Sequence, residues 1–485
     1  MEYPGWELAQ VVIEPGLPIG QDGDVTAVVI IGGGPGGYEA ALVAAQLGAE
    51  VTVIDRDGLG GSAVLTDCVP SKTLVSAATV RRGPGARGSA IDLVGLNERI
   101  MDLARAQSND IADRLRRDGV QIIEGTGRLE STGAVVATSV DGAEHRLAAD
   151  VVLIATGARP RVLPDAVPDG ERILTWEQVY TLPEMPERLI VVGSGVTGAE
   201  FASAYNALGC DVVLVSSRDR VLPGEDPDAA AVVEDVFAER GMTVLSRARA
   251  VAARRVDSGV GNGVGNAVEV TLEDGRVVSG SHVLLAVGSL PNTEDLGLAE
   301  LGVTTDERGC IEVDRVSRTS VRGVYAAGDV TGVLMLASVA AMQGRIAMWH
   351  ALGDAVSPLR LDTVSSTVFT DPEIATVGVT QQQVDSGDVR ADSVMLPLAT
   401  NARAKMQGIH HGFVKVFCRR SSRIVIGGVV VAPHASELIH AITLAVDARL
   451  DVDALAAAFT VYPSMSGSIA EAARRLHALD ELAVD

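Results

Sequence analysis

"TAVVIIGGGPGGYEAALVAAQLGAEVTVID", residues Thr26 to Asp55, decides the fold. An apolar β-branched run, Val28 to Ile31, breaks into glycines and then into a helix-length stretch of helix formers. Gly48 reads as the helix C-cap, and a second apolar strand ends at Asp55. Strand, glycine turn, helix and strand within about 30 residues is the setting in which Gly-x-Gly-x-x-Gly binds a dinucleotide. Gly32 permits the tight turn, Gly34 lets backbone approach a pyrophosphate, and Gly37 packs helix on strand. The amides of the helix N-terminus then face the phosphates. Asp55 is placed to accept hydrogen bonds from a ribose diol.

The same unit recurs 161 residues later, in "ERLIVVGSGVTGAEFASAYNALGCDVVLVSSRDR", Glu187 to Arg220. Gly193, Gly195 and Gly198 match the first triplet, Gly209 matches Gly48, and Ser216 stands where Asp55 stood. One such turn alone is weak, because glycine-rich turns follow strands in many proteins. Two copies in full context at one offset predict two dinucleotide sites on two Rossmann-like α/β domains. "SGVGNGVGNA" (Ser258 to Ala267) has no strand–helix context and reads as a hairpin loop.

Three further apolar strands end in Gly: "DVVLIATGARP" from Asp150, "HVLLAVGSLPN" from His282 and "TSVRGVYAAGDVTG" from Thr319. They are expected to close the sheets around the two cofactors. From about Leu359 the pattern changes to "SSTVFTDPEIATVGVT", "HGFVKVFCRRSSRIVIGGVVV" and the helix-like "ASELIHAITLAVDARL". This suggests an α+β domain with an antiparallel sheet, and no glycine-rich phosphate turn follows its strands.

At 485 residues the chain is too long for one core, and its 47% apolar content is that of a compact protein. A net charge of −23 argues against nucleic acid or an anionic membrane surface as partner. No apolar run approaches the roughly 18 residues of a membrane span. The first 26 residues lack a basic start followed by an apolar stretch, so a cytoplasmic protein is expected. The cysteines, Cys68, Cys210, Cys310 and Cys418, lie far apart with no CxxC, which fits reduced thiols and no metal site. His410 and His411 sit in a turn without an acidic partner nearby in sequence. His434, His440 and His477 read as residues in helices or loops of the C-terminal domain, with no catalytic role. The basic run "RARAVAARR", Arg247 to Arg255, reads as a solvated strand edge, with an anion site as the other reading.

"GGSAVLTDCVPSK", Gly60 to Lys72, holds one cysteine, Cys68, before what reads as a Pro-Ser-Lys turn, with the inert Ala63 five residues upstream. With this stretch in place, the chain from about 26 to 475 resembles the pyridine nucleotide–disulfide oxidoreductase family. The motifs that carry the resemblance are GxGPGGY (Gly32 to Tyr38), PSK (Pro70 to Lys72), GxGxxGxE (Gly193 to Glu200), AAGD (Ala326 to Asp329) and "VFTDPEIATVG" (Val368 to Gly378). The resemblance implies an N-terminal extension (1–26), an FAD domain (27–160 and 288–358), an inserted NAD(P) domain (161–287) and a C-terminal dimerisation domain (359–485). It implies FAD at Gly32, Gly34, Pro35, Gly36, Gly37, Asp55, Gly61, Ser62, Lys72 and Gly127, with Thr156, Gly157, Gly288, Asp329 and Ala337 completing that site. It places the nicotinamide nucleotide at Gly193, Gly195, Gly198, Ser216 and Arg218, and a Lys72–Glu200 pair beside the flavin N5.

Three departures shape the functional expectation. The family pattern is GGxCxxxxCxPSK, and Ala63 replaces the first cysteine, the one that exchanges with a disulfide substrate. Exchange needs one thiolate to attack and another thiol to resolve, and alanine does neither. The family's cross-dimer His-Pro-x-x-x-Glu is here "YPSMSG", with Tyr462 for the His and Gly467 for the Glu; a phenol is a poor base at neutral pH. Finally Ser216, Ser217 and Arg218 replace a carboxylate that would repel a 2′-phosphate, which suits NADP(H) over NAD(H) unless Arg218 points to solvent.

The chain is therefore expected to be a homodimeric FAD enzyme passing electrons from NAD(P)H straight to a quinone, and it resembles the NAD(P)H:quinone reductases of the family. Lys72, Glu200 and Tyr462 are the expected catalytic residues. Cys68 is expected to be a relic against the isoalloxazine, with a reactive thiol as the alternative. A transhydrogenase, a dihydrolipoamide dehydrogenase-like protein without disulfide reductase activity, or a non-catalytic flavoprotein are the alternative functions.

Overall fold

The computed structural model describes residues 25–81, 91–256 and 267–477. The expected N-terminal extension and the Ser258–Ala267 loop thus lie outside the described residues, but for Val25, Thr26 and Ala267. Strand Ala27–Ile31 sits inside a seven-stranded sheet, with Glu50–Asp55 and Val151–Ile154 parallel on either side. Gln121–Ser131 continues beyond Asp55, and Val324–Ala326 closes the opposite edge. Val28 to Ile31 are almost wholly buried, as expected of parallel strands covered on both faces.

The second unit builds a five-stranded parallel sheet in the order Thr243–Leu245, Asp211–Val215, Arg188–Val192, His282–Leu285, Ile173–Thr175. Strands Val151–Ile154, His282–Leu285 and Val324–Ala326 thus join the sheets as expected. A three-stranded antiparallel sheet joins Ala250–Arg255 and Val268–Leu272, the strands flanking the expected hairpin loop, to Val277–Gly280, which was not read from the sequence. The chain crosses between the two units twice, and the crossings pair as an antiparallel ribbon, Ala158–Pro160 with Ser289–Pro291. The Thr156 hydroxyl donates to Asn292 O at 2.7 Å, and the Asn292 amide returns a bond of 2.9 Å.

The C-terminal part is a five-stranded antiparallel sheet, Ser365–Val368, Glu373–Gly378, Val425–Ala432, Phe413–Arg419, Ala391–Pro397, covered by helix Ala435–Asp447. It grips the second unit through buried charge. Lys415, 2% exposed, donates to Asp226 Oδ1 and Oδ2 at 3.0 and 2.8 Å and to Asp228 Oδ2 at 2.6 Å. Asp226 also caps helix Pro227–Glu239, accepting the amides of Asp228 and Ala229. Arg240 donates to the carbonyl and carboxylate of Asp371 at 2.6 and 2.9 Å. His411, expected to lack an acidic partner, lies 2.9 Å from Glu239; the partner comes from across space, where sequence spacing does not reach.

Removing one member of a buried ion group leaves the others desolvated and unpaired, at about 3–5 kcal/mol. Lys415→Ala should therefore lower the thermal midpoint by several degrees. Arg56→Ala, which removes an exposed pair with Asp57, should leave it nearly unchanged. Equal midpoints for both variants in a thermal scan would disprove this account.

Candidate functional site

Both glycine turns are held by contacts that admit no side chain. A Cβ on Gly37 would lie 1.8 Å from Gly32 O, and one on Gly198 1.8 Å from Gly193 O. Helices Pro35–Gln46 and Val196–Ala207 therefore start directly over their strands, capped by Gly34 and Gly195 with no side-chain hydrogen bond. A Cβ on either cap would meet nothing within 4 Å. Free first-turn amides facing open space fit a pyrophosphate at both turns.

Asp55 lies beside the first turn, where Oδ2 accepts the Gly33 amide at 2.6 Å and Oδ1 accepts Asp57 and Gly58 at 2.9 and 2.7 Å. Burial raises its carboxyl, and those three amides oppose the rise. Gly60 donates to Gly33 O at 2.8 Å and brings Gly61 against Gly34, while Ser62 stays exposed. Gly36 abuts helix Ala337–Ala351, because a Cβ on Gly344 would stand 2.0 Å from Gly36 O. Gly127 packs beneath Ile31 and Ile54. Gly157 and Gly288 lie next to the two crossing strands. These residues fit an FAD-shaped cradle along the C-terminal edge of the first sheet.

Cys68 opens helix Cys68–Arg81, so Pro-Ser-Lys belongs to its first turns and is not a separate turn. Pro is tolerated there because early helical amides lack intrahelical acceptors. Lys72, one turn on, donates to Glu200 Oε2 at 2.8 Å. The Glu200 side chain is 3% exposed and that of Lys72 28%. Glu200 Oε1 accepts the Phe369 amide at 2.8 Å, and the Lys72 ammonium lies 5.1 Å from the Phe369 ring centroid. Ser203, on the same helix as Glu200, accepts the Asp371 amide. Ser203 was missed by sequence reading, and Phe369 and Asp371 entered it only as members of the Val368–Gly378 motif, without these contacts.

The electrostatics follow from crowding. Burial alone would lower Lys72, but Glu200, Cys68 and Asp67 outweigh it and hold the ammonium above the usual lysine range. Burial raises Glu200 against the pull of Lys72 and the Phe369 amide. Burial also pushes Asp329 up to about 6, with Asp67 adding to the rise. Asp67, raised by burial and opposed by Lys72, is a further charge that sequence reading missed. Between the cysteine helix and helix Leu93–Arg117 lies a cavity of about 660 Å³, lined by Cys68, Lys72, Thr73, Ser76, Leu96 and Arg99 among others.

At the second turn, Ser216 is fully buried, and its hydroxyl lies 2.7 Å from that of Ser194 and accepts the Arg218 amide at 3.1 Å. It braces the loop, leaving Ser217 and Arg218 exposed. Tyr462 is 86% exposed, with Phe459 and Val461 beside it in sequence equally bare. Gly467 opens helix Gly467–Arg475.

All four cysteines are free thiols. Burial, then the carboxylates of Asp67, Glu200 and Asp329, push Cys68 up to about 12, with Lys72 opposing. Since the thiolate is the reactive form, the thiol form dominates at every pH below that value. Iodoacetamide at pH 8 should therefore label Cys68 more than about tenfold slower than it labels a small free thiol. Equal rates by mass spectrometry would show a thiolate.

Residues 26–344 match the pyridine nucleotide-disulphide oxidoreductase family, and residues 364–473 match its dimerisation domain. The chain is 56% identical over 477 residues to a Mycobacterium tuberculosis protein named NAD(P)H dehydrogenase (quinone), covering 94% of this chain and 95% of that protein. It is 34% identical over 467 residues to dihydrolipoyl dehydrogenase 2 of Haloarcula marismortui, covering 93% and 97% of the two chains. The crystal structure of LpdA from M. tuberculosis superposes with a TM-score of 0.89 at 56% identity, over 94% of this chain and all of that one. The paired dinucleotide turns, the Lys72–Glu200 bridge and these matches agree: the chain belongs to the pyridine nucleotide-disulphide oxidoreductase family, flavoproteins that use FAD and NAD(P)H.

Proposed function

We propose that this protein oxidises NAD(P)H, with NADPH preferred, and passes the electrons through FAD directly to a quinone without a disulfide intermediate. The observation that carries the reading is Ala63 in the place of a second thiol five residues before Cys68, in a site that keeps the Lys72–Glu200 pair. Bound FAD supplies hydride acceptance from the nicotinamide and donation to the acceptor. The remaining work falls to this chain. The amides after Gly34 and Gly195 hold the two pyrophosphates, and Asp55 holds a ribose. Lys72, fixed by Glu200, offers a cation that stabilises negative charge developing beside it.

Without an exchange thiol, the acceptor must meet the flavin directly, and a flat quinone needs no covalent step. The cavity between the cysteine helix and Leu93–Arg117, with apolar Leu96 and Val80 in its wall, suits such a molecule. The name of the 56% identical mycobacterial protein points the same way. In this reading the protein is a cytoplasmic homodimer, and Tyr462 of the second copy lines the acceptor site. Its near-complete exposure, with that of Phe459 and Val461, in a chain that carries a dimerisation domain supports that role. Ser217 and Arg218 read the 2′-phosphate, while Ser216 braces their loop.

Anaerobic NADPH should bleach the flavin, and a benzoquinone should restore its colour. Transfer to thio-NAD alone, or no bleaching, would overturn the reading. Turnover with lipoamide should stay below about a tenth of the quinone rate. Lys72→Ala should slow flavin reduction about tenfold or more in stopped flow, on the scale of losing one positioned charge at a reacting centre. Cys68→Ser should stay within a few-fold of the parent; abolished turnover there would make the thiol catalytic.

A further inference from the structure

We propose that Arg247 is a second reader of the nucleotide 2′-phosphate, reaching it from the loop after the neighbouring strand. The inference rests on the nicotinamide nucleotide binding at the second turn, as proposed above. In a doubly wound sheet the ribose 2′ position lies over the end of the second strand of the unit. Here that strand is Asp211–Val215, and Thr243–Leu245 runs parallel beside it with Val215 opposite Leu245. The loops after these two strands therefore leave the same edge of the sheet side by side.

Three backbone bonds fasten the loops together. The Ser216 amide donates to Leu245 O at 2.9 Å, the Ala248 amide to Ser216 O at 2.7 Å, and the Arg247 amide to Arg218 O at 2.7 Å. Arg247 is thereby tied to Arg218, the residue proposed above to read the phosphate. It is held at a φ of 53°, in the left-handed region. A long side chain rarely occupies that region without a compensating reason.

Charge separates Arg247 from its neighbours. Of the four arginines between 247 and 255, Arg249 lies 3.8 Å from Glu273, Arg254 2.9 Å from Glu269, and Arg255 2.8 Å from Glu171. Among the described residues, the guanidiniums of Arg247 and Arg218 have no hydrogen-bond or carboxylate partner, and both residues are exposed. In a chain of net charge −23, two unpaired guanidiniums on bonded loops form a local site of opposite sign. Two such forks suit a dianionic phosphate monoester, since each can donate two parallel hydrogen bonds. The rest of the basic run is a solvated strand edge, as the sequence suggests; Arg247 alone departs from that reading.

The test measures dissociation constants of NADPH, NADH, 2′-phospho-ADP-ribose and ADP-ribose with the FAD-loaded protein. Arg247→Ala should weaken NADPH and 2′-phospho-ADP-ribose about tenfold, the scale of one charged hydrogen bond. NADH and ADP-ribose should bind as before. Arg247→Gly, which removes the guanidinium and relaxes the backbone, should behave alike, so that a folding defect in the alanine variant is not mistaken for the effect. If the parent favours NADPH and Arg218→Ala abolishes that preference while both Arg247 variants retain it, the inference falls and the NADPH reading stands. If the parent shows no preference and the Arg247 variants change no ligand, both fall. A selective loss of the 2′-phosphate ligands in the Arg247 variants upholds the inference even where Arg218→Ala has no effect.

Discussion

The ion pair between Lys72 and Glu200 is the contact on which the arrangement of the site depends. A carboxylate 3% exposed is costly to bury, and only full satisfaction of both oxygens offsets that cost. Glu200 obtains this from two other parts of the chain, with the Lys72 ammonium on Oε2 and the Phe369 amide on Oε1. One side chain thus holds together the cysteine helix, the second nucleotide unit and the first strands of the C-terminal sheet. Lys415 with Asp226, Arg240 with Asp371 and His411 with Glu239 then tie that second unit to the C-terminal part along a broader front. Hydride transfer needs two rings in near contact and aligned, and a unit clamped at four points keeps a bound nicotinamide from drifting.

The same crowding sets the chemistry of the half-pair. Cys68 shares its neighbourhood with Asp67, Glu200 and Asp329, so a second negative charge on sulfur is strongly disfavoured. A pair of thiols in such surroundings would need a base to ionise one of them, and the segment that carries such a base in the resembling family offers Tyr462 here. Loss of the partner thiol and loss of the base are therefore physically coupled, since neither part has a use without the other. What the site retains is a cation, Lys72, held protonated by the surrounding acids.

The glycine turns were legible because backbone geometry forces them: with 1.8 Å between a Cβ on Gly37 or Gly198 and a carbonyl oxygen, no other residue can stand there. The pairing of Lys72 with Glu200 was legible only through resemblance, because 128 residues separate them. Glu239 and Lys415 left no signal at all, and Phe369 and Asp371 stood in a quoted motif that gave no hint of their partners. Each acts through a partner brought close by tertiary packing, and neither period nor spacing encodes such contacts. Ser216 shows a subtler limit. It follows strand Asp211–Val215 at the place where Asp55 ends strand Glu50–Asp55, but burial turned its hydroxyl inward to Ser194. Residue type and register were written in the sequence, whereas the direction of a side chain was decided by the space around it.

Exposure near the C-terminus bears on the unit that performs the chemistry. Phe459, Val461 and Tyr462 are 106, 79 and 86% exposed, within four consecutive residues. A single surface aromatic needs no explanation, but bare apolar side chains so close together mark a contact surface. The segment lies within the residues that match a dimerisation domain, and its covering by a second copy would bury these side chains at about 25 cal/mol for each Å² of apolar area removed from water. Under the proposed function, that burial does two things at once. It stabilises the pair of chains, and it walls the acceptor site with a phenol that each copy lacks on its own. A phenol carries an O–H that can donate a hydrogen bond. It is thus suited to donate a hydrogen bond to a quinone oxygen, and unsuited to the base role whose place it occupies.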